Sequence, residues 1–90
     1  MFPAISIVVA NYNKAKYIGE SIESVLNQTF QDYELIIVDD CSTDSSKQII
    51  QEFAFKDSRI KFIKLERNMG VSEARNIGVA NSKAKYVAFL

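Results

Sequence analysis

Asp39 and Asp40 stand side by side at the end of the apolar run Leu35-Ile36-Ile37-Val38. Adjacent charges at the edge of a core repel each other and are costly to desolvate, so the pair calls for a reason. The polar cluster that follows, Cys41-Ser42-Thr43-Asp44, has a simpler reading, because Ser, Thr and Asp satisfy the free N–H groups of a helix start. That reading leaves the doublet unexplained. Two other side chains bear on it. Tyr12 offers a flat ring and a hydroxyl; such a ring can simply pack, or beside a carboxylate it can stack on a base while the acid accepts a ring N–H. Arg75 can pair an acid or a phosphate, or serve a surface salt bridge. The familiar phosphate-binding patterns are missing. The chain has three glycines and neither G-x-x-x-x-G-K-[ST] nor G-x-G-x-x-G, which argues against a P-loop NTPase or a typical NAD site.

Composition narrows the remaining choices. Ninety residues with 48% hydrophobic content suffice for one small packed domain, expected to span residues 1–90. Eleven basic residues balance eleven acidic ones. A domain that grips nucleic acid needs a basic face, so no nucleic-acid partner is expected. No apolar run approaches the roughly 20 residues that span a bilayer. Met1-Phe2-Pro3-Ala4 has no basic flank and does not read as a secretory signal. Cys41 is the only cysteine and there is no histidine, so neither an internal disulfide nor a Cys/His metal site is expected. A reducing, cytoplasmic setting fits this composition.

The acids must be positioned by the elements around them. Ile5-Ser6-Ile7-Val8-Val9-Ala10 is a short run rich in β-branched residues and reads as a buried strand. Asn13 is placed to cap a helix from Lys14 to Gln28, where Ile18, Ile22, Val25 and Leu26 recur at helical spacing. Glu34 to Val38 is the second strand, and Ser45 to Phe55 the second helix, marked by Ile49, Ile50 and Phe53. Arg59 to Leu65 carries Lys61 and Lys64, the pattern of an edge strand guarded by charge. Val71 to Ala80 is a third helix with Val71, Ala74, Ile77 and Gly78 near one face; Gly78 would permit close packing on the sheet. Tyr86-Val87-Ala88-Phe89-Leu90 is a fourth strand, apolar throughout as central strands are. The order β-α-β-α-β-α-β predicts a three-layer α/β/α fold with a mainly parallel four-stranded sheet. With the lysine-bearing strand at an edge, the strand order is 3-2-1-4. The switch point then lies between strands one and four, and ligands bind outside the carboxyl ends of strands at such points.

Four segments together resemble the start of a family-2 glycosyltransferase with the GT-A fold. They are Ile7-Val8-Val9-Ala10-Asn11-Tyr12-Asn13, Val38-Asp39-Asp40-Cys41-Ser42-Thr43-Asp44, Asn68-Met69-Gly70-Val71-Ser72-Glu73-Ala74-Arg75-Asn76, and Ala84-Lys85-Tyr86-Val87-Ala88-Phe89-Leu90. Gln28-Thr29-Phe30 ahead of the second strand also fits. Each motif is weak alone; their order and spacing are specific. The sheet would then be the Rossmann-like half of a GT-A domain. The resemblance implies a transferase that moves a sugar from a nucleotide-diphosphate sugar, a UDP-sugar foremost, to an acceptor hydroxyl in polysaccharide or cell-surface glycan synthesis. It implies that Ala10, Asn11 and Tyr12 line the nucleotide pocket, that Asp40 accepts the base N–H, that Asp39 supports the loop or ribose, and that Arg75 reaches the phosphate region. Ala10-Asn11 stands where the family often has Pro-Thr, and Cys41 where Gly, Asn or Asp is common.

In that family a metal-binding D-x-D motif follows the strand that resembles Tyr86 to Leu90, and the acceptor pocket and catalytic base lie further on. The expectation is therefore a nucleotide-binding fragment, inactive alone, that binds no metal itself, whereas the full-length enzyme uses Mn or Mg and a glycan or lipid-linked acceptor. The full-length protein is expected in the cytoplasm or at the inner face of the membrane. The uncharged fourth strand is expected to pair with itself in a homodimer. The competing class is a receiver-like signalling module, which also carries acids at strand ends. It requires a phosphorylatable Asp after the third strand, where this sequence has Glu66-Arg67-Asn68, and a Lys after a fifth strand, for which no segment is found.

Overall fold

The computed structural model describes residues 2–90, which form one four-stranded sheet and three helices. The elements are β1 (Ile5–Asn11), α1 (Ala15–Leu26), β2 (Tyr33–Asp39), α2 (Ser46–Lys56), β3 (Ile60–Lys64), α3 (Val71–Ala80) and β4 (Tyr86–Phe89). All neighbouring strands are parallel, in the order β3-β2-β1-β4. The fold class and strand order read from the sequence are those observed.

β2 is the centre of the core. All seven of its residues are buried, because it lies between two strands with helices over both faces. Leu35 and Ile37 point one way and join Val9 and Ile60 beneath Ile18, Ile22 and Val25 of α1 and Ile50 of α2. Ile36 and Val38 point the other way and join Val8 beneath Ala74 of α3. Gly78 sits on this second face. A β-carbon there would overlap Val8 Cγ1 and stand 3.4 Å from Val38 Cγ2, so glycine is what lets α3 lie so close to the sheet. No helix among the described residues is long and apolar enough to cross a membrane.

Four expectations change in detail. β4 has the composition of a central strand but lies at an edge: it pairs with β1 alone, and Tyr86 and Phe89 are 64% and 54% exposed. Val71 begins α3 beyond the sheet and is exposed rather than packed. Lys61 does more than guard the β3 edge, since its ammonium pairs with the buried Glu34 at 2.8 Å. Asn13 does not cap α1. It has a left-handed backbone (φ 51°), Lys14 takes the cap position, and the Asn13 side chain reaches across to the β2–α2 loop. A left-handed turn aims a side chain away from its own helix, and Asn tolerates that conformation better than most residues.

Candidate functional site

The loops leaving β1 and β2 are fastened to each other around Asp39. Its carboxylate accepts hydrogen bonds from Asn11 Nδ2 (2.8 Å), from the Ser42 backbone N–H (2.9 Å) and from Ser42 Oγ (2.6 Å). Ser42 Oγ in turn accepts the Asn13 N–H at 2.9 Å. Asn13 Oδ1 accepts the N–H of Thr43 at 2.7 Å, and Asp44 returns the favour by accepting the Ala15 N–H at 3.0 Å, which satisfies a free donor at the start of α1. Bonds from Ser46, with the Ala15 N–H adding to them, hold the Asp44 carboxyl below its ordinary range. Cys41, at the tip of this arrangement, has φ 63°, a left-handed backbone that costs a non-glycine residue about 1 kcal/mol.

Asp40 faces the third loop. Its two oxygens accept the backbone N–H groups of Met69 (2.7 Å) and Gly70 (2.9 Å), while Asn68 Nδ2 donates to its main-chain carbonyl at 3.3 Å. Gly70 has φ 94°, which an L side chain rarely adopts, so a glycine is required to turn this N–H onto the carboxylate. A carboxylate has about four acceptor positions, and each Asp40 oxygen keeps one free.

Two adjoining cavities open at these loops. The smaller, about 250 Å³, is lined by Ala10, Asn11, Tyr12, Lys14, Asp40, Asn68, Gly70 and Val71. The larger, about 450 Å³, shares Ala10, Asn11, Lys14 and Val71 and adds Tyr17, Ser21, Arg75 and Leu90 among others. No acidic side chain lines the second cavity, and the amino ends of α1 and α3 border it with Lys14 and Arg75. Helix amino ends and free cations favour anions. A still larger depression, about 620 Å³, lies at the opposite end of the sheet between Phe2, Phe30 and Tyr86. It contains no acid to accept a ring N–H, so size alone does not mark the site.

Of the residues expected here, Ala10, Asn11, Tyr12 and Asp40 meet in the smaller cavity and Arg75 lines its neighbour. Asp39 is fully buried and lines neither; its oxygens are taken by internal donors, which suits it to supporting the loop. Arg75 makes no ion pair among the described residues, and its guanidinium stands 5.9 Å from the centre of the Phe89 ring. Asn11 is almost wholly buried, and its Oδ1 has no hydrogen-bond partner. Lys14 and Val71 were not foreseen. Nothing in their spacing marks them, since both owe their place to where two separate helices begin.

No group of three or more His, Cys, Asp or Glu side chains among the described residues could hold a metal ion. Asp39 and Asp40, the adjacent acids, are turned in different directions and bonded to different loops. These residues do not fit a metal site.

The family model described as Glycosyl transferase family 2 matches residues 6–90. The chain belongs to this family of glycosyltransferases. It is 42% identical over 88 residues to TuaG of Bacillus subtilis, a glycosyltransferase assigned to teichuronic acid biosynthesis, covering 98% of the chain and 35% of TuaG. It is 39% identical to the glycosyltransferase GlyG of Streptococcus pneumoniae, covering all of the chain and 30% of GlyG. The chain thus spans about a third of the length of these relatives. The crystal structure of S. aureus TarS 1-349 in complex with UDP-GlcNAc superposes with a TM-score of 0.90 at 34% identity, covering 97% of the chain and 26% of that TarS chain. A mannosyltransferase from Pyrobaculum calidifontis in complex with GDP-Man and Mn²⁺ shares the fold, with a TM-score of 0.82 at 21% identity.

Proposed function

We propose that these residues form the nucleotide-binding part of a sugar transferase that uses a nucleotide-diphosphate sugar, with UDP as the nucleotide. The carrying observation is the pair of adjoining cavities. One has an aromatic ring and a carboxylate with free acceptor capacity; the other has two cations, two helix amino ends and no acid. A base fits the first chemistry and a diphosphate the second. Tyr12 stacks on the base, Asp40 accepts its ring N–H, Asn11 lines both cavities, and Lys14 and Arg75 face the phosphates. The UDP and UDP-GlcNAc complexes of TarS support a uridine nucleotide. The teichuronic acid assignment of TuaG supports an acceptor within a cell-wall glycan.

The metal ion, the acceptor pocket and the base that deprotonates the acceptor hydroxyl belong to the rest of a full-length protein, which works in the cytoplasm or at the inner face of the membrane. There a divalent cation, Mn or Mg, would be held by residues outside 1–90 and would neutralise charge on the diphosphate. Residues 1–90 alone bind the nucleotide and transfer no sugar. Their exposed β4 edge pairs with that of a second copy. Titration of the ¹⁵N-labelled chain with UDP tests the site. Binding near the millimolar level, about −4 kcal/mol, is expected, with shifts at residues 10–14, 39–41 and 68–71. Shifts confined to the opposite end of the sheet would overturn the assignment.

A further inference from the structure

A third buried carboxylate lies at the other end of the sheet, outside the nucleotide site. Glu34 is 4% exposed at the entrance to β2. Ser6 Oγ of β1 donates to it at 2.5 Å, the Lys83 backbone N–H of the α3–β4 turn at 2.6 Å, and Lys61 Nζ of β3 pairs with it at 2.8 Å. Ser6 Oγ also accepts the Ala84 N–H at 3.1 Å. One carboxylate therefore joins three strands to the turn from which β4 starts.

β4 needs such a fastening. Of its four residues only Val87 is even half-buried, so apolar packing does little to fix it. Its ladder to β1 is made of backbone groups, and these pair equally well after a shift along the strand. What distinguishes the observed register, Tyr86 opposite Ile5 through Phe89 opposite Val8, is the polar latch just before Tyr86. The other end of β4 delivers two contacts to the functional site. The Phe89 ring lies under the Arg75 guanidinium, and Leu90 lines the cation-bordered cavity, its N–H bonded to the Val8 carbonyl at 3.1 Å.

We infer that Glu34 is a positioning residue: it sets the register of β4 and thereby holds Arg75 and Leu90 in place around the diphosphate cavity. It does not touch the ligand. This inference rests on the nucleotide reading above. Slippage of β4 disturbs the diphosphate cavity and leaves the base cavity intact, because no β4 residue lines the latter.

The test uses Glu34→Gln, which keeps the shape but replaces a carboxylate oxygen with a donor aimed at Ser6 or Lys61. Amide exchange at Val87–Leu90 is expected to quicken by about tenfold while the β2 amides keep their protection. UDP affinity is expected to fall several-fold, and uridine affinity to stay within about twofold. Equal weakening of UDP and uridine, or unchanged exchange at β4, overturns the proposal. Lys61→Met is the second variant, in case Glu34→Gln does not fold. It leaves the Ser6 and Lys83 bonds in place and is expected to give the same pattern at smaller size. If the unaltered chain binds neither ligand, the nucleotide reading fails, and the exchange measurement still decides the role of Glu34 in register.

Discussion

The two ends of β2 carry the same chemistry to different effect. At the entrance, the Glu34 carboxylate meets a lysine, a serine hydroxyl and a backbone N–H, and both its oxygens are engaged. At the exit, Asp39 is similarly enclosed by Asn11 and Ser42, but Asp40 meets only two backbone N–H groups and borders a cavity. No cation lies within ion-pair distance of either aspartate among the described residues. A carboxylate matched by a cation and neutral donors acts as a fastening. One held by backbone dipoles alone keeps acceptor positions unused, and the proposed nucleotide site at the exit rests on that difference.

The most disruptive change should be Asp39→Ala. It leaves Asn11, the Ser42 N–H and Ser42 Oγ without their buried acceptor, and a loss of about 3 kcal/mol is expected from several unsatisfied groups. Urea unfolding measures it; a loss near zero would show that the exit acids are not structural. Glu34 supplies the contrast at the entrance. Burial pushes its pKa up, but Lys61, Ser6 and the Lys83 N–H outweigh burial, and the net direction is down. A depressed folded pKa contributes stability that is present above the unfolded value and is lost as pH falls through the folded one. Unfolding should therefore become easier below the ordinary carboxylate range, and Glu34→Gln should flatten that acid limb.

Gly78→Ala acts between the two ends, by pushing α3 off Val8. Overpacking costs about 1–3 kcal/mol, offset in part by the better helix propensity of alanine, so a net loss of about 1 kcal/mol is expected in thermal unfolding. Cys41→Gly should go the other way by a few tenths to about 1 kcal/mol, because glycine accepts the left-handed backbone there without strain. The smallest effect on stability is expected from Tyr12→Ala, within about 0.5 kcal/mol, since the ring is 45% exposed. The same variant should nonetheless weaken UDP binding several-fold. A stability change without a binding change would reverse the distinction drawn between fastening and binding groups.

Much of this was legible in the residues. The alternation of elements, the strand order and a crevice at the carboxyl ends of the strands follow from hydrophobic periodicity, lysine placement and the handedness of crossovers. The placement of Asp40 and Tyr12 at one end of the sheet was legible because each directly follows a buried strand. Glu34 was not. A glutamate opening a strand looks like a solvated residue, and the partners that bury it come from residues 6, 61 and 83, far away in the chain. Asn13 was misread for a similar reason, because local spacing favoured its own helix and the actual acceptor role lies 30 residues on.

The sequence by itself determined the class of the fold, the order of the strands and the presence of acids and a ring at one end, because these depend on period, composition and chirality along the chain. Only the tertiary structure decided which of these buried carboxylates is enclosed by internal donors and which borders a cavity. β4 is apolar throughout and β2 is apolar over Leu35–Val38, yet β2 is wholly buried and β4 mostly exposed, because burial depends on neighbours and not on composition. The same holds for Asp39 and Asp40. Successive side chains of an extended chain point to opposite sides, so two identical neighbours face different loops, and the donors those loops present enclose one while the other borders a cavity.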